Sequence, residues 1–203
     1  MLALPGHPGG EGMERAADYA AWAADEIAQA PPPRAVVGHS LGGAVALELA
    51  LARPDLVDGL VLVATGARLP VPDHALERAE GDFHAECERV VRASFVAGDE
   101  RRIERSIEAM TATGAETLAG DYRACRAHDV RERLGEVRVP TLVISAAEDR
   151  LTPVWMGEEL ARGLPSALMA VVPDASHLLI IEAARAVNLL IAAYLARLEL
   201  TLD

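Results

Sequence analysis

The chain has 203 residues, of which 51% are hydrophobic and 25% are charged, and its formal net charge is −12. This length suffices for one well-buried core with a small accessory lobe. The acidity and the lack of a basic stripe argue against a nucleic-acid partner. The apolar runs are too short to span a bilayer, and Met1–Leu4 is followed at once by Pro5, so no signal-peptide hydrophobic region is found. These features predict a cytoplasmic protein that does not enter a membrane.

The first part of the chain alternates between helical and strand patterns. Apolar residues recur at helical spacing within Gly12–Ala30, and the short apolar run Ala35–Val37 predicts a strand. A second helix is expected over Leu41–Ala52. It is followed by Leu60–Ala64, a continuous apolar run of the type that is buried on both faces of a parallel sheet.

Residues 66–138 differ in character from the segments around them. Charges are dense, apolar residues fall at helical spacing, and no strand pattern is found. About four helices are expected here, near Asp73–Glu80, Asp82–Val96, Asp99–Met110 and Ala115–Arg126. We therefore predict that this insert forms a small helical cap, and that residues 1–65 and 139–203 form the core.

The alternation resumes after the insert. Strands are expected over Thr141–Ser145 and Leu168–Val172, and helices over Pro153–Arg162 and Glu182–Leu198. The order predicts an α/β fold in which a parallel sheet carries helices on both faces.

The segment Gly38–Gly43 fits the pattern G-x-S-x-G between a predicted strand and a predicted helix, which is the setting of a nucleophile elbow. Ser40 must then lie on a strained turn that lifts its hydroxyl clear of the backbone. Gly38 and Gly42 are expected to keep Cβ atoms out of the place where strand and helix crowd together. The amide of Leu41, at the helix N-terminus, is placed to stabilise an oxyanion. A tight turn with a capping serine is the structural alternative.

A serine hydroxyl needs a base and an orienting acid to act as a nucleophile at neutral pH. In this arrangement both follow later strands, in the order Ser, acid, His. Asp149 follows the strand that ends at Ser145, and His177 follows the strand that ends at Val172. Glu148 is the alternative acid.

Three separate parts of the sequence resemble the α/β-hydrolase superfamily, within the group of small esterases, enol-lactonases and haloperoxidase-like enzymes. They are the elbow Gly38–Gly43, the link from Ala124 to Pro153, and the loop Leu4–His7. The resemblance implies that Ser40 is the nucleophile, that His177 is general base and then general acid, and that Asp149 orients His177. It implies no cofactor and no metal.

The sequence also departs from the family pattern. Ser176 stands where the family usually has Gly, and Ala146 where it often has Gly. Before Leu4–His7 the family has three more strands, and the loop after the third supplies the second amide of the oxyanion hole. Loss of one such donor costs about 10²–10³ in rate, so we expect an incomplete hole unless another amide replaces it.

The missing neighbour of the strand Ala35–Val37 also predicts a homo-oligomer. An open apolar edge is a template for pairing, so we expect a homodimer or larger assembly through this edge and the helix Gly12–Ala30.

The function predicted from these residues is hydrolysis of small ester, lactone or related acyl substrates by a serine hydrolase. His39 and Trp155 are expected to line the substrate pocket, with packing as the alternative for each. Two other functions stay open: a lyase or C–C hydrolase on the same scaffold, and a weak or inactive hydrolase that serves as a binding or assembly protein.

Overall fold

A computed structural model describes residues 2–96 and 99–202, and in the last helix it describes side chains up to Leu198. The sheet has four strands: β1 (Ala35–His39), β2 (Gly59–Val63), β3 (Thr141–Ala146) and β4 (Ala167–Val172). They lie side by side in chain order, and every neighbouring pair is parallel. The predicted parallel sheet is therefore confirmed, with strand ends within two residues of the expected ones.

Helices connect the strands and flank the sheet: α1 (Ala16–Ile27), α2 (Leu41–Ala52), α3 (Asp73–Gly81), α4 (Phe83–Ala93), α5 (Glu100–Thr111), α6 (Ala115–Ala127), α7 (Val154–Gly163), α8 (Leu179–Glu182) and α9 (Ala184–Leu202). The last expected helix, Glu182–Leu198, differs from the structure. The chain is helical from Leu179 but interrupted at Ala183, whose φ of −119° lies outside the helical range. The first helix begins only at Ala16, because Arg15 is still extended.

Alternate residues of the central strands supply two separate hydrophobic cores, one on each face of the sheet. On one face, Leu60 and Leu62 of β2 pack with α1, α2 and α7. On the other, Val61 and Val63 pack with α8 and α9. Successive side chains of a strand point to opposite faces, so a strand covered on both sides must be apolar throughout. All five residues of β2 are buried.

The segment between β2 and β3 carries α3–α6, as expected for the helical insert. Its helices have small apolar clusters of their own, one of them around Cys87 and Leu118. In α4, the fully buried Glu86 accepts hydrogen bonds from Arg78 and Arg89. Burial opposes the charged form of this carboxyl, but these partners outweigh it and lower its pKa. The exact division into core and cap stays a prediction.

One hydroxyl group of the last helix forms hydrogen bonds with the starts of two strands. Tyr194 of α9 donates a hydrogen bond of 2.6 Å to the carbonyl of Pro140, just before β3. The same hydroxyl accepts the N–H of Leu60 in β2 at 3.0 Å. Within the described part of the chain, no helix is long and apolar enough to cross a membrane.

We predict that Tyr194→Phe lowers the free energy of unfolding by about 0.5–1.5 kcal/mol, because the hydroxyl's bond to Pro140 is lost while the Leu60 N–H still donates to the Pro140 carbonyl. Urea unfolding followed by circular dichroism measures the change. Leu189→Ala, on an exposed position of the same helix, is the control and should shift stability by less than about 0.5 kcal/mol. A Tyr194→Phe protein as stable as the wild type would contradict the role of the hydroxyl.

Candidate active site

Ser40 stands between β1 and α2 in a backbone conformation that is rare for a residue with a side chain. Its φ is 53° and its ψ is −120°. Two hydrogen bonds hold the turn: the Ser40 N–H donates to the carbonyl of Val63 at 3.0 Å, and the hydroxyl of Thr65 donates to the Ser40 carbonyl at 2.8 Å. Both partners belong to β2 or its end, so the neighbouring strand helps to fix the strained residue.

Two glycines allow the strand and the helix to approach each other at this turn. A Cβ on Gly38 would lie 2.2 Å from the carbonyl oxygen of Gly42, and a Cβ on Gly43 would lie 2.5 Å from Cγ2 of Thr65. A Cβ on Gly42 would meet nothing within 4 Å. The expectation that Gly42 relieves crowding is therefore wrong, because its α-carbon faces open space. Gly43 is the second glycine that relieves the crowding.

The structure brings Ser40, His177 and Asp149 together at the carboxyl edge of the sheet. Nε2 of His177 lies 2.9 Å from Oγ of Ser40, and Nδ1 lies 2.9 Å from Oδ2 of Asp149. Because a carboxylate only accepts, the Nδ1–H donates to Asp149, which leaves Nε2 free to accept the serine proton. The three side chains thus form one continuous hydrogen-bonded series across residues that are far apart in sequence.

Asp149 is buried and is held by its own loop. Its Oδ1 accepts the N–H groups of Leu151 and Thr152 at 2.8 and 2.9 Å, and its Oδ2 accepts the Thr152 hydroxyl at 2.6 Å. Burial opposes the charged form, but the hydrogen bonds from His177 and Thr152 outweigh it and lower the pKa of Asp149 below its ordinary range. The carboxyl is therefore an anion at neutral pH and a fixed acceptor for His177.

The loop that carries His177 is fastened by a carboxylate on α8. Glu182 accepts the N–H of Ser176 at 2.7 Å through Oε2 and the N–H of Val96 at 2.8 Å through Oε1. In addition, the N–H of Leu178 donates to the carbonyl of Ser94 at 3.0 Å. Residues on both sides of His177 are thus joined to the segment that follows α4 of the insert.

The other predicted site residues take different positions. Leu41 is the first residue of α2, so its N–H has no partner within the helix. His39 is half-buried beside His177, and its Nε2 lies 2.8 Å from the His177 carbonyl. Trp155 lies on the first turn of α7 and is 53% exposed. Glu148, the alternative acid, is exposed, while its neighbour Asp149 contacts the histidine.

The residues described by the structure contain no group of three or more His, Cys, Asp and Glu side chains placed to hold a metal ion. The described hydrogen bonds around Ser40 and His177 have the geometry that a nucleophile, a base and an orienting acid require.

Comparison with known proteins identifies the family. The family model described as the alpha/beta hydrolase family matches residues 1–188. The chain belongs to the alpha/beta hydrolase family. The resemblance seen in the sequence is thereby confirmed.

Several named proteins are similar to the chain. A pimeloyl-acyl-carrier-protein methyl ester esterase of Chromobacterium violaceum is 32% identical over 197 residues, covering 87% of this chain and 75% of that protein. A relative from Azorhizobium caulinodans, named as a carbamate hydrolase, is 32% identical over 157 residues. The chain spans only 58% of the length of that relative.

Solved structures of hydrolases superpose closely on the fold. A thermophilic esterase has a TM-score of 0.88 at 31% identity, with 96% of this chain and 79% of that chain covered. The enol-lactonase from Burkholderia xenovorans LB400 has a TM-score of 0.85 at 25% identity, with 95% and 78% covered. The chain is therefore a hydrolase of this family, and ester-type substrates are common among its relatives.

Sequence reasoning missed two residues of the candidate site, Thr152 and Glu182. Thr152 lies three residues after Asp149, and an Asp side chain in a turn commonly accepts N–H groups of the residues that follow it, so a local signal existed. No such signal existed for Glu182, because its contact with Val96 joins residues that are 86 positions apart.

The glycines of the elbow provide a matched test. We predict that Gly43→Ala lowers the free energy of unfolding by about 1–3 kcal/mol, because the new methyl group collides with Thr65. Gly42→Ala should be neutral or should stabilise by up to about 1 kcal/mol, because alanine favours a helix and the space is open. Chemical unfolding of both variants measures the difference, and equal losses would contradict the assignment of crowding to Gly43.

Proposed function

We propose that this hydrolase cleaves small ester, lactone or related acyl substrates through an acyl-enzyme formed on Ser40. The observation that carries the proposal is the hydrogen-bonded series Ser40–His177–Asp149, with contacts of 2.9 Å at both ends of the imidazole. This arrangement matches the roles of nucleophile, base and orienting acid in serine hydrolases.

In the proposed mechanism, Ser40 Oγ attacks the substrate carbonyl while Nε2 of His177 takes the serine proton. Asp149 stabilises the imidazolium that results, through the bond to Nδ1. His177 then returns the proton to the leaving alcohol, and an acyl-serine ester remains. Next, His177 takes a proton from water, the resulting hydroxide attacks the acyl carbon, and the acid product leaves as Ser40 regains its proton.

We assign one donor of the oxyanion hole to the Leu41 N–H. This amide directly follows the nucleophile and opens a helix of 12 residues, so both the free N–H and the positive end of the helix dipole favour a negative oxygen there.

The printed names of the relatives support the substrate class. They include a methyl ester esterase, a carbamate hydrolase and an enol-lactonase. All three names describe attack on an acyl carbon bonded to a heteroatom, which is the reaction that this triad performs. The pocket-lining roles of His39 and Trp155 and the cytoplasmic location remain predictions.

Two alternatives would leave different signatures. A lyase or C–C hydrolase would use the same scaffold without releasing acid from simple esters. A binding protein without activity would leave Ser40 unreactive. A fluorophosphonate probe distinguishes an inactive binding protein from an active hydrolase, because only a serine activated by its base reacts rapidly.

We predict that the protein hydrolyses at least one p-nitrophenyl ester or lactone, and that Ser40→Ala lowers kcat by up to about 10⁶-fold. Its melting temperature should change by no more than a few degrees, because one hydroxyl contributes little to stability. Ser166→Ala, at an exposed serine, is the matched control. Activity that survives unchanged in Ser40→Ala would remove Ser40 from the mechanism.

The homodimer predicted from the sequence is also a proposal. Among the described residues, β1 pairs with β2 alone, and Val37 on that strand is 50% exposed. Its neighbour in register, Val61, is fully buried beneath the helices of that face. An apolar edge of this kind favours pairing with a second copy of the chain.

Light scattering at micromolar concentration should therefore give a mass of twice 21.5 kDa or more. Val37→Lys should shift the protein toward the monomer, because a charge on an edge strand opposes pairing. Leu168→Lys, at a residue of β4 that is 44% exposed on the other edge of the sheet, is the control. A wild-type protein that stays at 21.5 kDa would contradict the proposal.

A further inference from the structure

His39 contacts His177 at two points, although sequence reasoning expected only a pocket-lining or packing residue. Its Nε2 lies 2.8 Å from the carbonyl oxygen of His177 and donates to it, since a carbonyl can only accept. The two imidazole rings also lie against each other, with centroids 5.0 Å apart and planes inclined by 50°. One contact fixes the main chain of His177 and the other limits the freedom of its ring.

The position of His39 in the chain makes these contacts significant for the site. His39 is the last residue of β1 and directly precedes Ser40. Two consecutive residues therefore hold the same histidine: Ser40 contacts the ring at Nε2, and His39 contacts the main-chain carbonyl. Because β1 is part of the sheet, these hydrogen bonds fix the position of the His177 loop relative to the strand that precedes Ser40.

We propose that His39 is a positioning residue for the reaction, whose Nε2–H holds the main chain of His177 against the elbow and so keeps the His177 ring within reach of Ser40. This inference rests on the proposed triad function of Ser40 and His177. It assigns to His39 no direct contact with substrate. A displacement of about 1 Å between reacting groups can cost 10²-fold in rate, so a hydrogen bond that sets this distance affects kcat.

The charge state of His39 agrees with this positioning role. Burial, and then the neighbouring His177, lower the pKa of His39 to about 4, while the His177 carbonyl and Asp149 act in the opposite direction with smaller effect. His39 is therefore neutral at neutral pH. During catalysis the positive charge forms on His177, and a second cation 5.0 Å away would oppose it. A neutral donor supplies the hydrogen bond without that penalty.

Two substitutions separate the hydrogen bond from the ring contact. His39→Gln keeps an N–H donor at about the same reach as Nε2 but loses the ring. His39→Phe keeps a ring of similar size but has no donor. His74→Phe, at an exposed position of α3, is the matched control for a histidine-to-phenylalanine change away from the site.

We expect kcat of His39→Phe to fall by about 10- to 100-fold on an ester substrate. The KM should stay within about twofold, because the proposed hydrogen bond acts on His177 and not on the substrate. The rate of labelling by a fluorophosphonate should fall in parallel. His39→Gln should restore kcat to within about threefold of the wild type, and His74→Phe should match the wild type. Thermal unfolding checks that each variant is folded.

The proposal is overturned if His39→Phe keeps the wild-type kcat, if its loss lies only in KM, or if His39→Gln is as slow as His39→Phe. These outcomes differ from failure of the proposed function, which would appear as an unreactive wild type or as an active Ser40→Ala. Nitrogen-15 NMR of the wild type gives a test that needs neither activity nor a variant. It should show neutral His39 with the proton on Nε2 at pH 7, and an Nδ1–H tautomer would overturn the hydrogen bond itself.

Discussion

The left-handed backbone at Ser40 is the constraint on which the candidate site depends. A non-glycine residue at φ 53° costs of order 1–3 kcal/mol, so surrounding contacts must hold it there. The bonds from Ser40 to Val63 and from Thr65 to Ser40 supply part of that stabilisation. The rest is steric: only a strand without a Cβ at Gly38 can pass so close to the carbonyl of Gly42. The strain lifts the hydroxyl out of the sheet edge, toward His177.

The parallel sheet then determines which loops meet the serine. Strands β1, β3 and β4 run in the same direction, so the residues that follow them emerge at one edge. Asp149 follows β3 and His177 follows β4, and the register between these strands aligns Ala146 with Val172 directly before the two loops. Cores on both faces keep the strands in place. The geometry of the site is thus a consequence of the apolar pattern of the strands.

Much of this was predictable, because the signals are local or periodic. Continuous apolar runs located the strands, and G-x-S-x-G between strand and helix located the elbow. The proximity of Ser40, Asp149 and His177 follows from their places after strand ends, although their catalytic roles remain proposals. What failed depends on three-dimensional contact. Gly42 and Gly43 look equivalent in sequence, and only the position of Thr65 separates them. Glu182 was expected to begin the last helix, whereas it ends the short helix α8, where its carboxylate lies beside the histidine loop.

Hydrogen bonds that could not be predicted from the sequence connect the helical insert to the histidine loop. The carbonyl of Ser94 accepts the N–H of Leu178. The carboxylate of Glu182 accepts the N–H groups of Val96 and Ser176. Main-chain groups on each side of His177 are therefore linked to the segment after α4, one directly and one through Glu182. A shift of the segment after α4 would move His177 relative to Ser40, which is fixed separately by β1 and β2. The position of the insert and the position of His177 are therefore not independent. Any change that repacks the end of α4 also acts on the distance between His177 and Ser40.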